Sequence, residues 1–230
     1  MNVRILHLLE GARQAKGLTV IIDVFRAFSA ECYMYEAGAA KVIAVGKVED
    51  AFRLRKEHPE WILAGERNGI MVEGFDYGNS PAAFEHAQLS DKTVVHTTSA
   101  GVQGLTAAAG ADTILAGSLV NAAATARYIL AQDPAEVSLV AMGWNGVKTT
   151  EEDELCAAYI ASLPCGKPLK DVEERALQLR YQEGKKFFDP LQKDVFPERD
   201  FWLSIPHDRF DHVLLVEKKD DLFETSWIRA

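Results

Sequence analysis

The first residues that could do chemistry are an aspartate and an arginine at the end of an apolar segment. Asp23 follows Val20-Ile21-Ile22, and Arg26 comes shortly after it. A carboxylate in this position offers a metal ligand or a nucleophile, and a guanidinium beside it holds phosphate through two hydrogen bonds. The structural alternative is that Asp23 caps the next helix and Arg26 pairs with it. The pair therefore predicts either a phosphate site or a helix start.

The same two residue types recur in a second, glycine-flanked loop. Glu66 and Arg67 lie between Gly65 and Asn68-Gly69, after the apolar residues 62–64. Glycines permit tight turns and a close approach of the backbone to a ligand, although a solvated surface turn is the alternative. Two loops that each supply a carboxylate and an arginine favour one shared site.

A run of hydroxyl groups follows the apolar pair Val94-Val95. Thr97, Thr98 and Ser99 precede Gly101 and a helix-like segment. The first amides of a helix point outward without partners, so hydroxyls and amides together predict an anion cradle. A helix cap would explain one hydroxyl but not three. His96, at the same strand end, is a candidate to orient a group that touches the ligand.

Further polar groups lie after two other apolar segments. Asn79 and Ser80 can donate hydrogen bonds from a turn-rich loop, although Asn-Ser-Pro is also an ordinary turn before a helix. Asn145 follows Val140-Ala141-Met142. We expect Asn79, Ser80 and Asn145 to contact a substrate.

An acidic run, residues 151–153, precedes the apolar segment 155–163. Thr150 and Asp153 have the spacing of a capping box, and acids suit a helix N-terminus. Alternatively, one carboxylate, Asp153 or Glu152, turns inward to complete a divalent-cation site. The two interpretations carry equal weight on the sequence.

A weak internal repeat indicates which elements position these residues. Residues 19–69 and 93–146 each run from a β-branched strand through a helix-like stretch to Ala-Gly-Ala, a second strand, a helix, a third strand and Asn-Gly. This alternation predicts an α/β class, a layered α/β/α fold with a mostly parallel sheet built from two similar βαβ units. Because ligands bind outside the carboxyl ends of such strands, the polar clusters should meet at one rim.

The region 165–230 is a C-terminal extension with few signals. We expect a charged helix near 171–183 and a strand at 213–216. Asp194 and Asp200 could approach the site, but we expect them to be solvated loop acids. Cys32 and Cys156 are interpreted as core residues.

Composition limits the classes of function. The 230 residues carry a formal net charge of −9, with 48% hydrophobic and 26% charged residues, which predicts a single folded domain over 1–230 with a packed core. The acid excess argues against a nucleic-acid binder. Three cysteines without metal spacing favour a reducing, cytoplasmic setting, and no segment predicts a signal peptide or membrane span. A homodimer is the default oligomer.

Taken together, six segments resemble the 2-phosphosulfolactate phosphatase family, whose fold is called ComB-like. They are VIIDVFRA, AGERNG, GFDYGNSP, HTTSAG, AGSLVNA and TEEDELCAA, in the same order across most of the chain. The resemblance implies a Mg²⁺-dependent phosphatase of coenzyme M biosynthesis that releases sulfolactate and phosphate. Matching positions are Asp23, Arg26, Glu66, Asn79, Ser80, Thr97, Thr98, Gly101 and Asp153.

Two departures bear on the substrate. Ser99-Ala100-Gly101-Val102 stands where the family pattern looks like Thr-Asn-Gly-Thr, and Phe28 stands where a Thr is common.

We therefore expect hydrolysis of a small anionic phosphomonoester. Mg²⁺ would be held by Asp23, Glu66 and Asp153, since hard cations prefer oxygen ligands. Arg26, Arg67 and the Thr97–Gly101 segment would neutralise the anionic groups. The alternative is a non-catalytic anion sensor; a hydrolase using Ser99 has no Ser/His/Asp ordering to support it.

Overall fold

A computed structural model describes residues 1–219 and 222–230. In these residues the chain forms ten strands, β1 (Asn2–His7), β2 (Gly17–Ile22), β3 (Lys41–Ala44), β4 (Ile62–Arg67), β5 (Ile70–Met71), β6 (Thr93–Thr97), β7 (Ala111–Gly117), β8 (Glu136–Ala141), β9 (His212–Lys219) and β10 (Leu222–Arg229). The α-helices of the same residues are α1 (Leu8–Gln14), α2 (Ala27–Glu36), α3 (Val48–Glu57), α4 (Pro81–Phe84), α5 (Gly101–Ala107), α6 (Ala122–Gln132), α7 (Glu151–Ser162), α8 (Val172–Gln178) and α9 (Glu198–Ser204).

All ten strands belong to one sheet, in the order β1-β8-β2-β7-β9-β10-β3-β6-β4-β5. β2 and β8 are buried over almost their whole length, as expected for strands that helices cover on both faces. The predicted α/β class with a layered, mostly parallel sheet is confirmed.

The sheet consists of two parallel halves that run in opposite directions. β1, β8, β2 and β7 pair in parallel, as do β3, β6 and β4. The hairpin of β9 and β10 pairs antiparallel with β7 on one side and with β3 on the other. The strands that end in polar residues therefore belong to two half-sheets. The expectation that they all belong to one parallel sheet with a single rim is wrong. Because neighbouring strands twist relative to one another, the two sets of ends still meet.

The two repeated segments interlock. Each folds as strand, helix, strand, helix, strand: β2-α2-β3-α3-β4 and β6-α5-β7-α6-β8. In the sheet, β2 lies between β7 and β8 of the second segment, and β6 lies between β3 and β4 of the first. Each segment therefore contributes its first strand to the half-sheet formed by the other.

The C-terminal region is central in the structure. The predicted strand at 213–216 is part of β9, and the β9–β10 hairpin joins the two half-sheets. The charged helix predicted near 171–183 is shorter, as α8, and is followed by 3₁₀ turns at Leu179–Tyr181 and Glu183–Phe188. The turn Glu183–Phe188, helix α9 and the residues between them lie beside the pocket described below.

The core confirms the interpretation of two cysteines. Phe28, Cys32 and Cys156 are fully buried in apolar clusters, while Cys165 is exposed. Within residues 1–219 and 222–230, no helix combines the length and the apolar composition needed to cross a bilayer.

Candidate active site

A small pocket lies where loops from the two half-sheets meet. Seven of the predicted site residues line it: Asp23, Arg26, Glu66, Asn79, Ser99, Asn145 and Asp153. The other five, Arg67, Ser80, Thr97, Thr98 and Gly101, lie behind these and bind them or the backbone. The catalytic, metal-binding and substrate-binding roles assigned to all of them stay predictions.

Asp23 lies between the first residues of α2 and α5. Its Oδ1 accepts a hydrogen bond from the Ala27 amide at 3.2 Å, and its Oδ2 accepts one from the Gly101 amide at 2.9 Å. A Cβ at Gly101 would lie 3.0 Å from Ala27 Cβ and 3.1 Å from Asp23 Oδ2, so glycine allows the close approach. Burial raises the pKa of Asp23 to about 6, against the lowering effect of these two amides.

Glu66 is part of a strand and not of a loop, which corrects the expected placement. β4 continues through Arg67 and turns at Asn68-Gly69 into β5. Asn68 and Gly69 have φ values of 55° and 83°, which fits the Asn-Gly preference of a two-residue hairpin turn. This turn places Glu66 at the pocket, beside the loop that follows β6.

The predicted anion cradle is already filled by the protein's own carboxylates. The Ser99 amide donates to Glu66 Oε1 at 2.6 Å, and the Ser99 hydroxyl donates to Glu66 Oε2 at 3.0 Å. The Gly69 amide also donates to Glu66 Oε2, at 2.6 Å. The Gly101 amide likewise donates to Asp23. These amides therefore bind carboxylates of the protein and have no free hydrogen to donate to a ligand.

The remaining two hydroxyls of the cradle have structural partners. Thr98 Oγ1 accepts a hydrogen bond at 3.1 Å from the Val102 amide, in the first turn of α5. Thr97 Oγ1 accepts from Arg67 Nη2 at 2.8 Å. Arg67 also donates to the carbonyls of Gly46 and Glu66. Its guanidinium is thereby directed at the backbone and does not line the pocket.

Arg26 pairs with Asp200, one of the two acids expected to be solvated. Its Nη1 lies 2.8 Å from Asp200 Oδ2, and both side chains are buried, 4% and 0% exposed. Arg26 also donates to the carbonyls of Val195 and Gly69. The alternative of an Asp23–Arg26 pair is not observed.

Asp200 is therefore not a solvated loop acid, and that expectation is wrong. It is the third residue of α9, and its Oδ1 accepts from the Ser80 hydroxyl at 2.6 Å and the Ala82 amide at 3.0 Å. Asp194, by contrast, is exposed as expected. Ser80 thus acts through Asp200 and Arg26, and Pro81 opens α4 as predicted.

A chain of buried hydrogen bonds ends at Asn79. Asn79 Oδ1 lies 3.1 Å from His96 Nε2, and His96 Nδ1 lies 3.3 Å from Glu31 Oε2. Glu31 also accepts from the Thr225 hydroxyl. With its oxygen engaged by His96, Asn79 has its amide NH₂ group to offer to the pocket. His96 thus has the orienting position expected for it.

Asp153 connects the loops that follow β2 and β8. Its Oδ1 accepts the Val24 amide and its Oδ2 accepts the Gly143 amide, both at 2.8 Å. The capping-box alternative is not observed, since Thr150 makes no side-chain cap. Burial, with Glu152 and Asp23 nearby, raises the pKa of Asp153 well above its usual range. Of the two alternatives, the inward-turned carboxylate is the one observed.

Glu152 is the second buried acid of this turn. It is 3% exposed and lines the pocket. Among the described residues its Oε2 has no hydrogen-bond partner, and the same holds for the neighbouring Thr150 Oγ1. Burial raises the pKa of Glu152 to about 7, with Lys186 acting in the opposite direction.

Lys186 is a site residue that the sequence interpretation missed. It lies in the 3₁₀ turn Glu183–Phe188, and burial lowers its pKa while Glu152, Asp23 and Asp153 raise it. Phe196, which lines the pocket under Arg26, was also missed. The single local signal was aromatic residues beside basic ones in a polar stretch, which does not distinguish a pocket wall from a surface segment.

The two Asn-Gly loops of the repeat contact each other across the pocket. Asn145 Nδ2 donates to Asn68 Oδ1 at 3.1 Å. Both asparagines have positive φ, 53° and 55°. The equivalent loops of the two repeated segments therefore meet at the pocket, one from each half-sheet.

The donor set suits a hard divalent cation such as Mg²⁺. Burial raises the pKa of three carboxyl groups at the pocket, those of Asp23, Glu152 and Asp153, and the first two also raise the pKa of Asp153. Among the described residues, Glu152 Oε2 has no hydrogen-bond partner. Within the described parts of the chain, however, no three His, Cys, Asp or Glu side chains are placed to enclose an ion. Because Mg²⁺ keeps several waters and takes one or two carboxylates, these residues fit a partly hydrated ion.

Glu66 fits a ligand role less well than expected. Its two carboxylate oxygens accept three short hydrogen bonds from Ser99 and Gly69. Glu152, with a free oxygen, is better placed to take its position in the ligand set.

Comparison with known proteins agrees with the resemblance seen in the sequence. The family model of 2-phosphosulpholactate phosphatase matches residues 4–194. Relatives from several bacteria carry the name "Probable 2-phosphosulfolactate phosphatase". One from Clostridium perfringens (strain SM101) is 33% identical over 77% of this chain and 73% of its own. One from Carboxydothermus hydrogenoformans is 37% identical over 71% of this chain and 67% of its own. One from Bacillus subtilis is 26% identical over 89% of both chains. With a Clostridium novyi relative, 37% identical, the match spans 60% of that protein's length.

Proposed function

Since this chain belongs to the 2-phosphosulfolactate phosphatase family, we propose that it hydrolyses 2-phosphosulfolactate, or a similar small anionic phosphomonoester, to sulfolactate and phosphate. The observation that carries the proposal is the pocket itself, which Asp23, Glu152, Asp153 and Arg26 line. Lys186 contacts the rings of Trp144 and Phe196, which also line it. Carboxylates gathered with cations around a small cavity suit phosphoryl transfer, in which catalysis is chiefly positioning and charge stabilisation.

The proposal includes Mg²⁺ held by one or two of the carboxylates of Asp23, Glu152 and Asp153, with water completing its shell. When bound, the ion would withdraw charge from the phosphoryl oxygens. This role is supported by the buried, partnerless oxygen of Glu152 and by the mutual repulsion among these carboxylates.

The protein's own groups divide the remaining work. Asp23, fixed by the Ala27 and Gly101 amides, is the group that acts at phosphorus, either by attacking it or by orienting a water molecule. The Asn79 amide donates to the anion, and the Asn68–Asn145 contact joins two loops at the pocket. Glu66 holds the turns on either side of it in place through Ser99 and Gly69.

The test is phosphate release from 2-phosphosulfolactate with Mg²⁺ and with EDTA. We expect Mg²⁺-dependent release that Asp23→Asn lowers by about 10³-fold or more, the scale on which a group acting at the transition state contributes. Asp112→Asn, an exposed aspartate in β7, is the control and should keep wild-type activity.

Two outcomes would contradict the proposal. Wild-type activity in Asp23→Asn would show that the reacting group is elsewhere. Thermal stabilisation by the substrate without any phosphate release would favour a non-catalytic anion sensor. For an active enzyme, trapping a phosphorylated Asp23 during a single turnover separates attack by Asp23 from direct attack by water.

We propose a reducing, cytoplasmic setting for this reaction, in keeping with the three free cysteines. The homodimer stays a prediction.

A further inference from the structure

The two arginines predicted to neutralise the substrate are largely committed to the protein. Arg26 pairs with Asp200 and donates to two carbonyls. Arg67 binds two carbonyls and Thr97. A highly anionic substrate therefore needs another cation at the pocket.

Lys186 supplies such a cation, held by aromatic rings. Its Nζ lies 4.6 Å from the ring centre of Trp144 and 5.2 Å from that of Phe196, both of which line the pocket. Phe187 and Phe25 follow at 5.5 Å and 6.0 Å. Cation–π contacts of this kind stabilise an ammonium group without neutralising its charge.

No carboxylate of the described residues lies within ion-pair distance of Lys186, although Glu152, Asp23 and Asp153 act on it from further away. An incoming anion therefore would not have to displace a salt-bridge partner. The aromatic walls also suit a weakly hydrated anion, because it loses little on leaving water compared with a strongly hydrated one.

We propose that Lys186, with Trp144 and Phe196, forms a subsite for the sulfonate of the substrate, one of the two anionic groups that are not transferred, the other being the carboxylate. This inference rests on the proposed function, because it assumes that the phosphoryl group lies at Asp23. The lysine then acts as a specificity-determining residue that distinguishes a sulfonated phosphomonoester from one without the sulfonate.

The experiment compares Lys186→Met with Lys185→Met, the exposed neighbour in the same turn. Each variant is assayed on 2-phosphosulfolactate and on 2-phospholactate, which lacks the sulfonate. We expect Lys186→Met to lower kcat/KM for 2-phosphosulfolactate by about 100-fold, mainly through KM, as loss of a desolvated charge contact does. For 2-phospholactate the loss should stay below about 5-fold. Lys185→Met should resemble the wild type on both compounds.

Equal losses on both substrates, or no loss on either, would overturn the subsite. Lys186→Gln provides a second variant if the methionine variant does not fold, and Lys186→Arg should retain part of the discrimination because it keeps the charge.

A binding measurement separates failure of the subsite from failure of the proposed function. If the wild type releases phosphate from neither compound, the phosphatase proposal fails. Calorimetric titration with sulfolactate alone then tests the subsite: binding to the wild type and Lys185→Met that is lost in Lys186→Met supports it, and equal binding to all three overturns it.

Discussion

Individual side chains at this pocket are held mainly by backbone amides. Asp23, Glu66 and Asp153 each accept at least two amide hydrogen bonds. Hydrogen bonds to an ionised carboxylate are shorter and stronger than neutral ones. The carboxylates are therefore fixed in direction before any ligand arrives, which is the preorganisation that phosphoryl transfer uses.

Asn79 provides a test of this arrangement at a single atom. Its Oδ1 is engaged by His96, so Asn79→Asp would place a second acceptor where the amide NH₂ now donates. We expect kcat/KM to fall by about 100-fold in Asn79→Asp, because a carboxylate repels the anionic substrate, and by about 10-fold in Asn79→Ala, which removes only the donor. The measurement is steady-state kinetics beside a thermal unfolding midpoint. An aspartate variant as active as the alanine variant would show that the amide does not face the anion.

Among the elements, the short helix α9 connects several parts of the site through one residue, Asp200. Asp200 in this short helix binds Arg26 before α2 and also Ser80 and Ala82 at the start of α4. One buried carboxylate thus connects three helix ends around the pocket.

The Asp200–Arg26 pair gives a prediction for stability. Asp200→Asn keeps the shape but leaves the Arg26 cation buried and uncompensated. We expect the free energy of unfolding to fall by about 3–5 kcal/mol, as for other buried pairs that lose one partner. Urea denaturation measures it, with Asp194→Asn, an exposed acid, as the unchanged control. A loss no larger than that of the control would mean that Arg26 finds solvent or another partner.

How far the elements could be predicted from the sequence depends on their neighbours. β2 and β8 are continuous apolar runs, and the repeat locates them correctly. β1 carries Arg4 and His7 because it is an edge strand that pairs only with β8, so its pattern resembles no buried strand. β9 and β10 include charged residues at paired positions, such as Glu217 opposite Glu224, which hides their central position.

The candidate site shows the same limit. Asp23, Glu66 and Asn145 follow or end recognisable strands, so their meeting could be predicted. Asp200 lies in the short helix α9 and Lys186 in a 3₁₀ turn, and their positions depend on Arg26 and on aromatic rings distant in sequence. No local pattern encodes such partners.

Over the whole molecule, the buried acids make stability depend on pH and on a cation. Burial raises the pKa of Asp23 to about 6 and that of Glu152 to about 7, and the pKa of Asp153 is raised as well. An acid whose pKa is higher in the folded state binds more protons there, so its ionisation destabilises the fold as pH rises. Lys186 opposes this effect, while Glu66 and Glu183 add to it.

We therefore expect the unfolding midpoint in EDTA to fall between about pH 5 and about pH 8. Mg²⁺ should reduce this fall, because a bound cation favours the ionised carboxylates. Glu152→Gln should flatten the curve in EDTA, while Glu151→Gln, an exposed neighbour, should leave it unchanged. Differential scanning calorimetry measures both; a midpoint in EDTA that rises over this range would contradict the prediction.

The exchange of strands between the two repeated segments also determines what can form while the chain leaves the ribosome. β2 pairs with β7 and β8, and β3 pairs with β6 and β10, all of which follow it in sequence. Before residue 93 has been synthesised, the only pairing available among the described strands is that of β4 with β5. The strands β2 and β3 are therefore synthesised before the strands they pair with. The sheet assembles late from contacts between residues distant in sequence, which form slowly. Until then the chain exposes apolar strands that favour aggregation.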